Sequence, residues 1–391
     1  MTLEARYVRD GTTRRLKRSR YAVASLFFLL GFGFGSWAVR IPDIQNRFGL
    51  SKAVLGMALF ALAIGSLIGM PLAGFLAARF DGARLTRACA VTLAVMIALP
   101  PFSLGLPGLA VVLCLFGAAN GALGVTMNTQ ASALERLLGR PVLSSCHGVF
   151  SIGGLLGSLS SGAIATAGLP VTVHLPIVSL ALLALSVSGG PYLIPTEPAQ
   201  RSPAFSRPSR ALLAFGVLAF CVLFAEGSVT DWSAVYLREH LLASPVGAAM
   251  GYSGFAMAMA LGRLSGDRLA TAWGPRRLVQ CAGTVAVLGS ASILLAPAVW
   301  LAVVGFALLG AGLSVIFPIA LSGAARRNET QPSSAIAAVS TVGYLGFLLG
   351  PPLIGFLAQL TNLRGSLLIM LLCAAAVLPL SLALRGRRVT G

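Results

Sequence analysis

Apolar stretches long enough to form membrane-spanning helices recur along the whole of this 391-residue chain. A helix of about 20 apolar residues crosses the hydrocarbon core of a bilayer. Only 10% of the residues are charged and 57% are hydrophobic, whereas soluble domains carry about 25% charged residues. The sequence therefore predicts an all-α membrane protein and excludes a water-soluble domain.

Twelve spans are predicted, separated by turn signals such as Pro100-Pro101 and Ala296-Pro297. Because the number is even, both chain ends are expected on the same side of the membrane. The spans cover residues 21–40, 53–77, 87–104, 109–133, 146–167, 171–193, 211–237, 246–270, 278–296, 299–324, 334–358 and 365–384.

The distribution of basic residues tests this topology. With the N-terminus inside, 24 of the 29 Lys and Arg residues fall in cytoplasmic segments. The five on the other side are Arg40, Arg47, Lys52, Arg238 and Arg364. The positive-inside rule requires such a split, so the net charge of +18 indicates membrane orientation and not nucleic-acid binding. We expect a multi-pass protein of the cell (inner) membrane with both termini cytoplasmic.

A polar segment rich in proline, arginine and serine, residues 195–210, divides the chain into two near-equal halves. Its composition is typical of a linker without fixed structure. The basic N-terminus precedes an apolar run of full spanning length, which predicts an uncleaved first helix and not a signal peptide. The expected order is a cytoplasmic tail (1–20), a six-helix bundle (21–194), the cytoplasmic linker (195–210), a second six-helix bundle (211–385) and a cytoplasmic tail (386–391).

The two halves also resemble each other weakly. Shifted by 190 residues, Phe116–Arg136 aligns with Phe306–Arg326 with five identities. Each half opens with a helix that ends in a tryptophan-containing polar patch, at Gly35–Arg40 and at Asp231–Val235. Two parallel six-helix repeats are a known transporter plan.

These features resemble the major facilitator superfamily over essentially the full chain. They include six plus six helices, a basic central linker and the glycine, aspartate and arginine signature after the eighth span. Several motifs further resemble its fucose-permease-like branch, and they are Trp37-Ala-Val-Arg40-Ile-Pro42, Met127-Asn128-Thr-Gln130, Ser144-Ser-Cys-His147, Asp231-Trp232-Ser-Ala-Val-Tyr236-Leu and Gly350-Pro-Pro. The resemblance implies two pseudo-symmetric bundles that work by alternating access, with one polar solute site at mid-membrane. It does not name the solute.

The seventh span carries two carboxylates, Glu226 and Asp231, inside an apolar run. An ionised side chain at the bilayer centre costs at least ~2.5–3.5 kcal/mol, so we expect these groups to be used. At five residues apart they point about 140° apart on a helix, so one partner does not serve both. The resemblance implies that the first and seventh helices line the cavity, and we expect Arg40 to meet one of the carboxylates when the outer gate is closed.

Glu226, Asp231 and Arg40 are therefore the coupling and gating candidates, with a static ion pair that fixes helix packing as the alternative. A carboxyl group in an apolar site is more easily protonated, so a proton on Glu226 would exchange against substrate or an arginine partner. Proton coupling is the expectation, and sodium coupling stays open.

Uncharged polar and aromatic side chains are the candidates for solute binding. Amide groups on the fourth span suit a polyol or sugar-like ligand, and interhelical hydrogen bonding is the alternative. Aromatic residues suit stacking on a ring or the interfacial belt. The set is Trp37, Asn120, Asn128, Gln130, His147, Trp232, Tyr236 and Phe317. Proton-coupled members of the fucose-permease-like branch carry an acid on the fourth helix, which Gly124–Asn128 lacks. This departure weakens the carry-over of that coupling site and of fucose as the solute.

The loop after the eighth span keeps the superfamily signature, and the resemblance implies that its charges latch the inner gate. The loop after the second span has Ala78 where the family places aspartate, so its latch should be weaker unless Asp81 substitutes. The gate candidates are Gly74, Arg79, Arg84, Gly262, Asp267, Arg268, Arg276 and Arg277.

Other function classes lack their signatures in this sequence. The six cysteines lie in apolar runs without a C-x-x-C pair, which predicts neither disulfides nor a metal site. There is no nucleophile–base arrangement for an enzyme, no cofactor motif and no repeated filter for a channel. We expect a monomeric secondary transporter of a small polar, possibly sugar-like, solute working by proton-coupled symport. Antiport efflux of a metabolite or drug and a transporter-like sensor are the alternatives, and the missing Gly-Pro signature on the fifth span disfavours a drug antiporter.

Overall fold

The computed structural model describes residues 13–139, 142–195, 212–327 and 332–384 of the chain. Within these ranges the structure consists of helices and turns, with no strand. The helices are α1 (Thr13–Phe48), α2 (Lys52–Ala77), α3 (Gly82–Met96), α4 (Gly105–Leu138), α5 (Leu143–Thr166), α6 (Val171–Gly189), α7 (Leu213–His240), α8 (Pro245–Trp273), α9 (Pro275–Leu295), α10 (Val299–Leu313), α11 (Ile316–Arg327), α12 (Pro332–Leu360), α13 (Leu363–Ser366) and α14 (Leu368–Leu380).

The prediction of an all-α membrane protein is confirmed. Every predicted span coincides with helix, and the tenth and twelfth spans each consist of two helices, α10 with α11 and α13 with α14. Among the described residues, ten helical segments are long and apolar enough to cross a membrane. The predicted linker lies outside the described residues apart from Pro195, as does the tail over 386–391.

Several helix boundaries differ from the predicted ones, for local reasons. The third span begins at Gly82 because the Asp81 carboxylate accepts a hydrogen bond from the Arg84 backbone N–H and caps the helix. It ends at Met96, before the Pro100-Pro101 pair whose residues cannot donate backbone hydrogen bonds. The fourth span ends where Gly139 takes a left-handed conformation with φ 62°, which glycine adopts without steric cost.

The tenth span is interrupted at Ser314 and Val315, between α10 and α11. Pro318 lies four residues after Ser314 and lacks the N–H that would reach the Ser314 carbonyl. A proline ring also clashes with the carbonyl four residues before it. The proline therefore explains the break, which the sequence analysis did not predict.

Helix contacts group the chain into two compact units. Unit 1 comprises Met1–Leu50 and Met57–Ser202, and unit 2 comprises Ser51–Gly56 and Pro203–Gly391. In unit 1 the most extensive helix pair is α1 with α5, and in unit 2 it is α7 with α12. These pairs are the first with the fifth and the seventh with the eleventh span, so the two units repeat the same packing.

Glycine makes the close approach in both pairs possible. A Cβ atom added to Gly35 of α1 would overlap the Gly154 carbonyl of α5, and one added to Gly346 of α12 would overlap the Phe220 carbonyl of α7. Small residues let membrane helices pack backbone to backbone in this way. Any larger residue at Gly35 or Gly346 would push the helix pair apart.

Candidate functional site

Helix α7 is enclosed by other helices along most of its length. From Cys221 to Leu237 every residue is buried except Glu226, which is half-buried. Glu226 is thus the one accessible side chain between Cys221 and Leu237. An accessible acidic group in a membrane helix is a candidate for contact with solute or protons.

The Glu226 carboxylate pairs with Arg263 of α8, with 3.4 Å between Arg263 Nη2 and Glu226 Oε2. The two side chains are 26% and 36% exposed, respectively. Tyr252 of α8 and Tyr344 of α12 lie within electrostatic range of Glu226. Unit 2 thus holds an accessible ion pair with phenol groups near it.

Arg263 and both tyrosines were not among the residues predicted from the sequence. Arg263 was counted with the bases of the following loop, although it lies inside the predicted eighth span, 246–270. An arginine inside a span was itself a signal, because charges within membrane helices are rare and pair with one another.

A cavity of about 330 Å³ adjoins this ion pair within unit 2. Arg263 lines it, together with polar residues of α8 and α11 and the break between α10 and α11. Its polar side chains are Arg263, Thr271, Ser314, Ser322 and Arg326. The volume lies at the lower end of the range of small-molecule sites.

Gly262, a predicted gate residue, packs against Ser314, which lines this cavity. A Cβ atom on Gly262 would overlap the Ser314 hydroxyl, which lies at the helix break. The glycine therefore allows α8 to approach α10 closely, and this approach positions the neighbouring Arg263.

The other predicted residues of α7 lie in the packed core of unit 2. Asp231 is 7% exposed, and Trp232 and Tyr236 are fully buried. The Tyr236 hydroxyl donates a hydrogen bond to the Ile293 carbonyl at 2.8 Å. Neither ring has an accessible face here, and the predicted role of Trp232 and Tyr236 in solute binding stays a prediction. Phe317 of α11 is half-buried and lies against Gly343.

Arg40 of α1 is buried, and its hydrogen-bond partners belong to unit 1. Its Nη1 lies 2.7 Å from an Asp43 carboxylate oxygen, its Nε donates to His174 Nδ1 at 3.1 Å, and its Nη2 donates to the Leu169 carbonyl at 2.8 Å. Arg40 thus pairs with Asp43 here, and its expected pairing with a carboxylate of the seventh span when the outer gate is closed stays a prediction. Asp43 lies three residues along the same helix, where side chains are neighbours.

The Arg40 contact fixes the tautomer of His174. The Nε atom of arginine always carries a hydrogen, so Nδ1 of His174 is the acceptor and the ring is neutral, with its proton on Nε2. A second cavity, of about 420 Å³, lies beside this cluster and is lined by Arg40, Asp43 and Arg47 among others. The sequence analysis did not single out Asp43 or His174.

The predicted amide residues of α4 have different environments. Gln130 is fully buried, and its side chain donates to the Ile194 carbonyl at 2.9 Å and accepts from the Ile194 N–H at 2.8 Å. These bonds hold the chain that follows α6, and the predicted role of Gln130 in solute binding stays a prediction. Asn128 donates to the Gly124 carbonyl of its own helix at 2.7 Å, and Asn120 is half-buried.

Two ring systems complete the predicted set in unit 1. Trp37 is buried and meets Phe116 edge to face, with ring centroids 5.8 Å apart. His147 is exposed and meets Phe27 edge to face at 5.1 Å. Of these two, only His147 keeps an accessible ring.

The remaining predicted gate residues are mostly exposed. Arg79 lies over the Phe75 ring, 4.3 Å from its centroid, and Gly74, Arg268 and Arg277 are exposed. Arg84 contributes its backbone N–H to the Asp81 cap. Arg276 is half-buried, and the side chain of Asp267 lies outside the described residues.

The sequence matches the Major Facilitator Superfamily over residues 23–268 and 215–391. It is 35% identical over 354 residues to an MFS-type transporter of Yersinia pestis, covering 90% of this chain and 92% of that one. It is 36% identical over 379 residues to a transporter of Sinorhizobium fredii, covering 95% and 100%. It is also 34% identical over 360 residues to the membrane protein MosC of Rhizobium meliloti, covering 90% and 86%.

Solved structures show the same fold at low sequence identity. A variant of the nucleoside transporter NupG superposes with a TM-score of 0.77 at 14% identity, covering 94% of this chain and 98% of that one. A bacterial homolog of the human lysosomal transporter Spinster, in an inward-facing unoccupied conformation, superposes with a TM-score of 0.73 at 15% identity, covering 95% and 98%. The chain is a multi-pass membrane transport protein, and it belongs to the Major Facilitator Superfamily.

Proposed function

We propose that this protein moves a small polar solute across the inner membrane by alternating access, in symport with protons. The proposal places both chain termini in the cytoplasm and treats the protein as a monomer. The sequence resemblance to the fucose-permease-like branch supports a hydroxylated, sugar-like solute.

The observation that carries the proposal is the ion pair of Glu226 and Arg263. Both residues lie inside predicted spans, 211–237 and 246–270, and both keep part of their side chains accessible. A charge in the middle of a membrane helix is costly unless it is paired, and each of these two groups is the counter-ion of the other. Protonation of Glu226 would remove one charge and leave Arg263 to find another partner.

The same reasoning sorts the other candidate residues. Asn120 and Phe317 are half-buried and His147 is exposed, and all three remain proposed solute contacts. Asp231 and Arg40 are buried, and for them we propose a role in helix packing and gating. The arginines after α2 and α8, with Asp267, remain the proposed cytoplasmic gate.

Transport by purified protein in proteoliposomes tests the proposal. Solutes selected by their effect on thermal unfolding are supplied outside the vesicles, and their uptake is followed under an imposed pH gradient. We expect uptake driven by the gradient in the wild type and in Glu226→Asp, which keeps the carboxylate, and loss of the drive in Glu226→Gln.

The outcomes separate the alternatives. A Glu226→Gln variant that responds fully to the pH gradient contradicts the coupling role. Solute movement against the direction of proton flow indicates an antiporter, and a response to a sodium gradient alone indicates sodium coupling. Solute binding with no flux in any direction indicates a sensor.

A further inference from the structure

Arg263 belongs to two environments at once. Its Nη2 contacts Glu226 at 3.4 Å, and its side chain also lines the 330 Å³ cavity of unit 2. Glu226 itself does not line that cavity. The guanidinium therefore lies at a boundary, with a carboxylate on one side and open space on the other.

The cavity has a positive lining. Arg326 of α11 supplies a second guanidinium, and Thr271 and Ser322 supply exposed hydroxyl groups. The described residues that line it include no carboxylate. Guanidinium groups bind carboxylates in a planar, two-bonded geometry, and hydroxyl groups suit the hydroxyls of a solute.

We propose that this cavity binds the carboxylate of a small hydroxylated organic anion, held by Arg263 and Arg326, and that a proton on Glu226 releases Arg263 to bind it. This inference rests on the proposed transport function and names the class of its solute. The proton adds to a carboxylate oxygen of Glu226, and no other bond changes.

Membrane topology does not account for Arg263. Positive residues that orient a membrane protein lie near helix ends, as Arg326 and Arg327 do at the end of α11. Arg263 lies ten residues before the end of α8 at Trp273, which is about 15 Å along a helix. A cation at that depth needs a counter-ion, and the structure offers Glu226 on one side and the cavity on the other.

This arrangement couples the binding of a proton at Glu226 to the binding of the anion at Arg263. While Glu226 is ionised it competes with the solute for Arg263, and once Glu226 is protonated Arg263 lacks a counter-ion until the anion binds. Proton and anion therefore each favour binding of the other, as linkage requires. A monoanion carried with one proton also adds no net charge, so transport should be insensitive to membrane potential.

The cavity exists because of local sequence. Pro318 breaks the helix between α10 and α11, and Gly266 of α8 presents no side chain to the space. A Cβ atom on Gly266 would come within 3.0 Å of a Val315 methyl carbon. Gly266 thus leaves open the space in which the anion would lie.

Binding to the purified full chain tests the proposal with matched pairs of probes. Gluconate and sorbitol share a six-carbon hydroxylated chain and differ in a carboxylate against an alcohol, and glycerate and glycerol are the three-carbon pair. We expect at least one of the two anions to raise the unfolding temperature, with tighter binding at lower pH, and its neutral partner to have no effect.

Arg326 and Arg327 form a matched control, because they are adjacent and exposed and only Arg326 lines the cavity. Arg326→Gln should weaken binding of the anion about tenfold to a hundredfold, as expected for loss of a hydrogen bond to a charged group. Arg327→Gln should leave it unchanged. Glu226→Gln should bind the anion at high pH as the wild type does at low pH.

Three results would overturn the inference. They are equal binding of an anion and its neutral partner, binding by neither anion, and equal effects of Arg326→Gln and Arg327→Gln. Arg263→Gln should also weaken binding of the anion, and should this variant fail to fold, the Arg326 and Arg327 pair and the pH dependence still decide. If sorbitol or glycerol is transported and the anions are not, the solute class is wrong while the transport proposal stands. If no solute moves under any gradient, the transport proposal fails as well.

Discussion

Replacing Gln130 by methionine separates a structural from a solute-binding role for the fourth span. Methionine keeps the length of the side chain and removes both of its hydrogen-bonding groups. In the structure these groups donate to the Ile194 carbonyl at 2.9 Å and accept from the Ile194 N–H at 2.8 Å. Gln130 and Ile194 are both fully buried, so in the variant water does not replace the lost bonds.

The expected loss of stability follows from these two contacts. A buried polar group left without a partner costs about 1–3 kcal/mol. Two groups of Ile194 lose their partner, so we expect Gln130→Met to lower the free energy of unfolding by about 2–6 kcal/mol. Asn128→Ala is the control on the same helix, because its bond to the Gly124 carbonyl is partly accessible, and we expect it to cost less than about 1 kcal/mol.

Reversible unfolding of the detergent-solubilised full chain measures both variants, and transport per folded molecule is followed in parallel. We expect Gln130→Met to be less stable with an unchanged KM for whichever solute is carried. A variant as stable as the wild type but with a raised KM would refute the structural assignment. It would return Gln130 to the solute site.

Two further substitutions test close packing and the Arg40 cluster by thermal unfolding. Gly262→Ala should destabilise the chain by about 1–3 kcal/mol, because its Cβ would overlap the Ser314 hydroxyl, whereas Gly74→Ala, which meets no atom within 4 Å, should not. Equal effects of the two changes would contradict the packing argument. His174→Ala removes the acceptor of the Arg40 Nε–H and should cost about 1–3 kcal/mol, with a smaller loss for His174→Gln, and an alanine variant of wild-type stability would show that the contact contributes nothing.

The sequence predicted the fold well because bilayer physics leaves few alternatives. Spanning length predicted helix at all twelve positions, and ten of the described segments are long and apolar enough to cross a membrane. The repeated tryptophan patches indicated two related halves. The boundaries were harder, since they depend on single contacts such as the Asp81 cap of α3. The break at Ser314 was visible in principle, because Pro318 lies four residues further on.

The candidate site was predicted less completely. Amide and aromatic residues have the same sequence signature whether they face a cavity or hold neighbouring backbone, so Gln130 and Tyr236 could not be assigned without coordinates. Estimated depth matched Arg40 to a carboxylate of the seventh span, whereas the Asp43 carboxylate lies one turn along the same helix as Arg40. Arg263 was counted among the basic residues that set the membrane orientation, because that count includes every arginine.

The two carboxylates of α7 show what helix geometry alone can decide. Five residues of separation place them about 140° apart, and the structure puts Glu226 on the accessible side and Asp231 in the packed side. A coupling role requires that protons reach the group, which Glu226 allows as the helix stands, whereas Asp231 is 7% exposed. The same role for Asp231 would require α7 to rotate or its neighbours to separate. We therefore propose unequal roles for the two carboxylates, with proton exchange at Glu226 and helix contacts that keep α7 in place at Asp231.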